Sequence, residues 1–214
     1  LVMLLIVCFI AFIIDSYLIN AVLLKVFAKV NPIKFFKKIL PAQIVAFSTQ
    51  SSAGTLPVAT EILTDKIGVS GKVANVTTPL GTTIGMPGCA GIWPILVSLY
   101  GIYGLGINFS LTDYITLVVV ALFVSFGTAG VPGTATVTTA SVLTVMGLPL
   151  ELIVLTIPIS ALADTGRTAT NITGAMVSAT IVARQEDSLD DEIFEKEDTE
   201  IRFLIHPGLM NLYL

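Results

Sequence analysis

Between Lys72 and Arg184 the chain carries one basic residue, Arg167, and it lies inside a hydrophobic run from about Leu152 to Arg184. Such a run is long enough to cross a bilayer, which takes about 20 apolar residues. A guanidinium at that depth is costly unless it faces protein or water and finds partners. Asp164, Arg167, Thr168 and Asn171 stand at i, i+3, i+4 and i+7, and so share one helix face. This polar stripe reads as a functional site. The other reading is a structural ion pair locking two helices, which has no need of the flanking hydroxyls.

Composition supports the membrane class. Mean hydropathy is +0.91 and charged residues make up 12%, too apolar for a soluble domain. The net charge of -4 comes from the segment after Arg184, and no basic stripe points to nucleic acid. Cys8 and Cys89 both sit in apolar surroundings and support neither a disulfide framework nor a metal site. With a single histidine, His206, in a patternless tail, no nucleophile–base pair points to an enzyme. The chain opens at Leu1 directly in a hydrophobic segment. That start reads as a trimmed chain and not as a signal peptide.

In order, residues 1–30 predict a transmembrane helix, interrupted by Asp15, which either faces a protein neighbour or water or takes part in ion coupling. Lys25, Lys29, Lys34, Lys37 and Lys38 then mark a cytoplasmic loop by the positive-inside rule. Residues 40–64 have basic flanks on both sides and a tip, Ser48 to Pro57, rich in hydroxyls, Gly and Pro. Each arm is about 10 residues, roughly 15 Å or half the hydrocarbon core. A re-entrant helical hairpin is expected, with a kinked spanning helix as the alternative. Residues 73–100 predict a spanning helix broken at Pro79-Leu80-Gly81 and again at Gly85 to Cys89. Residues 114–147 repeat the hairpin plan around Gly127 to Gly133, now with no basic flank and therefore on the external side. Residues 151–184 form the polar-striped helix, and 185–214 an acidic cytoplasmic tail expected to be solvated and disordered.

The expected fold is therefore an all-α integral membrane protein. It has three spanning helices, the middle one broken, and two re-entrant hairpins entering from opposite sides. This inverted repeat is an architecture of secondary transporters, with the site at the midplane between the repeats. The transport-domain core is placed at 31–184. A channel would also explain exposed carbonyls at broken helices, but not an Asp and an Arg set to clamp a zwitterion.

Three motifs in order, Gln50-Ser51-Ser52-Ala53-Gly54-Thr55-Leu56-Pro57, Gly127-Thr128-Ala129-Gly130-Val131-Pro132-Gly133 and Asp164-Thr165-Gly166-Arg167-Thr168, resemble the dicarboxylate/amino acid:cation symporter family. The resemblance covers about Asn31 to Arg184. It implies a multi-pass protein of the cell membrane, bacterial in type, that works by elevator-type alternating access. It also implies that the family's scaffold half, which forms a homotrimer, precedes this stretch. By the same resemblance Ser51 and Ser52 contact the substrate's amino-acid group and Asp164 takes its ammonium. Arg167 takes a side-chain carboxylate, Thr168 and Asn171 complete the pocket with Cys89, and Val131 belongs to the external gate. Gly81, Thr83, Ser125, Phe126, Thr128 and Asn171 resemble cation-binding positions, for a sodium ion or a proton as coupling ion and with no other cofactor.

The departures are specific. Many sodium-coupled members read Asn-Met-Asp-Gly-Thr where this chain has Gly85-Met86-Pro87-Gly88-Cys89, and Ala175 replaces a further carboxylate. Both anionic ligands of the deeper cation sites are thereby lost, and hard cations need anionic or many neutral oxygens. Gly88-Cys89-Ala90-Gly91-Ile92-Trp93-Pro94 is similar to the pattern of bacterial L-cystine transporters in the family. L-Cystine is thus the expected substrate. Glutamate or aspartate, a C4-dicarboxylate, or an inactive fragment of such a symporter are the alternatives.

Overall fold

The longest helix, α9 (Glu151–Gln185), begins with an acid, Glu151, and ends with a base, Arg184, each opposite in sign to the helix-dipole end it occupies. The other elements are arranged around it. The structure is a computed structural model and describes residues 1–84, 86–126 and 133–196. Among these, every extended regular element is a helix.

Val2–Ala28 is one continuous helix. It is built from α1 (Val2–Ile13), a π-helical stretch Ile14–Ile19, α2 (Asn20–Leu23) and a second π-helical stretch Leu24–Ala28. Asp15 lies in the first π stretch; its Oδ2 is buried without a partner, while Asn20 donates to its main-chain carbonyl at 2.9 Å. This helix and α9 are the two long and apolar enough to cross a membrane among the described residues.

Helix α3 (Pro32–Thr49) is capped by Asn31, whose Oδ1 accepts from Ile33 and Lys34 at 3.0 and 3.3 Å. It therefore starts eight residues before the expected arm, and Lys34, Lys37 and Lys38 are helical. The chain turns at Gln50 (φ 53) and Ser51 and runs back as α4 (Ser52–Ile62), extended by a π-helical turn Leu63–Ile67. The break is narrower than expected. Ser51 caps α4 by accepting from Gly54 at 3.0 Å, and Thr55 bonds back to the Ser51 carbonyl. Pro57 sits inside the helix at the loss of one hydrogen bond.

Helix α5 (Gly71–Gly81) likewise runs through Pro79, so the first of the two expected breaks is absent. The chain unwinds only beyond it, where the Thr82 and Thr83 hydroxyls donate to the Pro79 carbonyl. A π-helical turn, Pro87–Ile92, then leads into α6 (Trp93–Gly104). Helices α7 (Leu111–Phe126) and α8 (Thr134–Val145) pack together, and the tip joining them lies outside the described residues.

Two apolar cores result. One gathers Leu24, Phe35, Ile39, Leu63 and Ile67 around the later half of α9, from Ile172 to Ala183. The other gathers Leu4, Phe12, Trp93, Leu117 and Leu143 around its earlier half, from Leu152 to Ala163. The polar segment of α9 lies between them.

The tail departs from expectation through Lys196. A short helix, α10 (Asp191–Glu195), seats Phe194 in the first core at 1% exposure. Lys38, also buried, donates from Nζ to the carbonyls of Lys66 at 2.9 Å, Lys196 at 3.0 Å and Ile193 at 3.4 Å. Arg184 bonds Asp191 and holds its carboxyl below the ordinary carboxylate value. Lys38→Met keeps the apolar stem but removes the donor. It should cost about 2–3 kcal/mol, read as a lower unfolding temperature in detergent and faster amide exchange over 188–196. Unchanged exchange there would show that the tail is held without Lys38.

Candidate functional site

The polar segment of α9 is held on two sides. Towards α1 and α3, Ser16 donates to Thr170 at 3.2 Å, and Gln43 donates to Thr173 at 2.8 Å while accepting from Tyr17 at 3.1 Å. An open apolar groove of about 350 Å³ on this side, lined by Phe12, Phe47 and Gly166 among others, touches neither Asp164 nor Arg167.

On the other side the π-helical turn Pro87–Ile92 lies directly on α9. Gly88 is what permits this: a Cβ there would stand 2.6 Å from the Arg167 carbonyl oxygen and 2.8 Å from its Cα. The Asn171 side chain fastens the contact, accepting from the Gly88 amide at 2.9 Å and donating to the Cys89 sulfur at 3.1 Å. Thr138 of α8 donates to the Cys89 carbonyl at 2.8 Å. Cys89 and Asn171 are thus brought together, but largely to hold the turn in place.

Arg167 is 3% exposed. Its Nε donates to Asp164 Oδ1 at 3.2 Å, Nη2 stands 3.1 Å from the same oxygen as an ion pair, and Nη2 donates to the Ser160 carbonyl at 2.9 Å and its hydroxyl at 3.3 Å. The guanidinium carbon Cζ lies over the Trp93 ring, 4.6 Å from its centroid. Nη1 is buried and has no partner. A buried charged donor left unpaired is costly, and a site that waits for an anion carries that cost until the anion arrives. The ion pair therefore exists, but within one helix, so it locks no second helix. Both of Arg167's contacts with Asp164 fall on Oδ1, and the Asp164 side chain remains 34% exposed. Thr168 is buried beside the pair.

Ser51 and Ser52 lie at the turn between α3 and α4, half-buried, with the Ser51 hydroxyl engaged in capping. Val131 lies outside the described residues.

The sequence profile of one protein family, the "Sodium:dicarboxylate symporter family", matches residues 1–185. The chain belongs to that family. Among its relatives is an uncharacterized symporter of Haemophilus influenzae, 43% identical over 180 residues, which are 81% of this chain and 41% of that protein. An L-cystine uptake protein of Bacillus thuringiensis is 37% identical over 171 residues, 79% of this chain and 37% of its own length. The L-cystine uptake protein of Shouchella clausii is 37% identical over 172 residues, 80% and 37% respectively. The chain spans about two fifths of the length of these curated relatives. The family is, by its description, one of symporters, that is, of membrane transport proteins.

The expected cation positions of this symporter chain are variously placed. Gly81 abuts Ala175: a Cβ on Gly81 would stand 2.8 Å from the alanine methyl. The Pro87 ring packs beside Gly174, 3.6 Å from where a Cβ there would stand. Both Pro87 and Ala175, the two positions at which the resemblance marks a missing carboxylate, therefore make apolar contacts. The Thr83 hydroxyl donates to the Pro79 and Leu80 carbonyls and the Ser125 hydroxyl to that of Leu122, which leaves their lone pairs for a ligand. Phe126 is exposed at 62%, the Asn171 amide is already engaged, and Thr128 lies outside the described residues.

From the sequence, Trp93 entered only as part of the Gly88 to Pro94 pattern, with no role of its own, and Ser160 was not singled out. The signals were present: Trp93 is the one tryptophan, and Ser160 stands two turns before Arg167 on the same helix face.

Proposed function

We propose that this chain is the substrate-carrying part of a cation-driven symporter that takes up an amino acid with a second carboxylate, L-cystine first. The observation that carries the reading is the buried, unpartnered Nη1 of Arg167 beside a half-exposed Asp164. An α-ammonium suits the free oxygen of Asp164, and a distal carboxylate suits Nη1. L-Cystine has both groups, and the names of the Bacillus thuringiensis and Shouchella clausii relatives favour it over glutamate, aspartate or a C4-dicarboxylate. Ser51 and Ser52 at the first hairpin turn meet the α-carboxylate, Thr168 completes the pocket, and Val131 closes over it.

In the membrane, Val2–Ala28, the broken α5–α6 path and α9 are the spanning elements. The pairs α3–α4 and α7–α8 are hairpins entering from the cytoplasm and from outside. The part of α3 beyond Lys38 is about 16 Å long, half of a hydrocarbon core of about 30 Å. Because both cores share α9, substrate and site move as one body, which suits elevator-type alternating access. The complete protein is then a homotrimer in a bacterial cell membrane.

The coupling ion is a single sodium or a proton. With apolar contacts at Pro87 and Ala175, only the neutral oxygens around Thr83, Ser125 and Thr128 are left for sodium, and such a site binds it weakly. Initial L-cystine uptake by the complete protein in proteoliposomes should follow sodium with a Hill coefficient near one. Failing that, it should persist without sodium and rise on external acidification. A coefficient well above two would require sites that these contacts fill. No saturable uptake of L-cystine at all would remove the substrate assignment.

A further inference from the structure

Trp93 lies at the first turn of α6, at the end of the π-helical turn that rests on α9, and is 2% exposed. The Arg167 guanidinium sits over its ring, with Cζ 4.6 Å from the centroid. The edge formed by Nε and Nη2 is taken by Asp164 and Ser160. What remains is the Nη1 corner, buried and without a partner. An aromatic face attracts the cation without consuming an N–H. Ser160 contributes only neutral oxygens, so Asp164 is the one carboxylate bonded to the guanidinium among the described residues. The cation is thus held in a single orientation with the N–H groups of Nη1 free.

We propose that Trp93 is a positioning residue that sets substrate class, fixing the Nη1 corner of Arg167 where it selects amino acids with a distal carboxylate over those without one. This rests on Arg167 being the carboxylate partner, as proposed above. Without the ring, the guanidinium can tilt off the π-helical turn and satisfy Nη1 on nearby carbonyls, and the preference for the second carboxylate falls. The discrimination therefore comes from a residue that need not touch the substrate.

The test compares L-cystine with the mixed disulfide of L-cysteine and cysteamine, which has nearly the same length and lacks only the distal carboxylate. Both are measured as competitors of tracer L-cystine uptake by the complete protein in proteoliposomes. Trp93→Leu, which fills much of the volume without a π face, should weaken L-cystine about tenfold and the mixed disulfide less than about twofold. Trp93→Phe, which restores a smaller face, should recover most of the L-cystine preference. Equal losses for both compounds, or an unchanged preference in Trp93→Leu, would overturn the proposal, because a packing role moves both together. If Trp93→Leu does not reach the membrane, Trp93→Phe decides: a wild-type preference supports the aromatic seat, and a lost preference with normal expression refutes it. Arg167→Ala separates the two layers. If it leaves L-cystine uptake intact, the carboxylate assignment itself fails. If it abolishes uptake while Trp93→Leu keeps the wild-type preference, only the role of Trp93 fails.

Discussion

Arg167→Ala should abolish L-cystine uptake while the protein still folds and reaches the membrane. The arginine's structural contacts are local, to Asp164 and Ser160 on its own helix and to the ring of Trp93. Removing it leaves Asp164, which is partly exposed and can be hydrated. For a bound substrate the balance differs. A distal carboxylate in the closed pocket would face no cation, and leaving one partner of a buried pair alone costs about 3–5 kcal/mol, or at least about 100-fold in affinity. Arg167→Lys should recover little, because a point charge on a flexible stem cannot keep contact with Ser160 and Asp164 while offering a further donor in a fixed plane. The measurement is uptake and binding of L-cystine in proteoliposomes, with unfolding temperature as the control for folding. Uptake within about threefold of wild type would mean that the unpartnered Nη1 is not a substrate contact.

Much of this arrangement was legible in the sequence. The spacing of Asp164, Arg167, Thr168 and Asn171 placed the stripe on one helix face. The prolines misled. Pro57 and Pro79 read as breaks, yet both lie inside helices, each at the loss of one backbone hydrogen bond. The lysines misled in the opposite direction. A cluster of five reads as a solvated loop, but the stem of Lys38 passes into the first core and its ammonium meets three carbonyls of segments distant in sequence. No local pattern reports such a partner. The same holds for Phe194, which looks like an isolated aromatic in an acidic tail and is one of the most buried residues of the first core. Asn171 shows the limit at the site itself. Its place on the polar face was clear, but its two bonds go to Gly88 and Cys89 across a break in another helix.

Gly88→Ala should impair transport severely, whereas Gly91→Ala, three residues along the same π-helical turn, should be close to neutral. The contrast follows from what each new methyl would meet. At Gly88 the atoms within 3.0 Å are the carbonyl oxygen, Cα and carbonyl carbon of Arg167, all main chain and unable to rotate away. At Gly91 nothing lies within 4 Å. Relief at Gly88 requires the turn to lift from α9, which lengthens the 2.9 Å bond from its amide to Asn171 and the 3.1 Å contact from Asn171 to Cys89. It also draws Trp93 away from the guanidinium, since the ring follows the turn by one residue. Overpacking of this kind costs about 1–3 kcal/mol in stability. The functional loss should be larger, because a displacement of about 1 Å at a binding constellation can cost on the order of 100-fold. L-Cystine uptake by Gly88→Ala should therefore fall far more than its unfolding temperature implies, and Gly91→Ala should match wild type in both. If the two variants behave alike, the close seat of the broken helix on Arg167 is not what shapes the site.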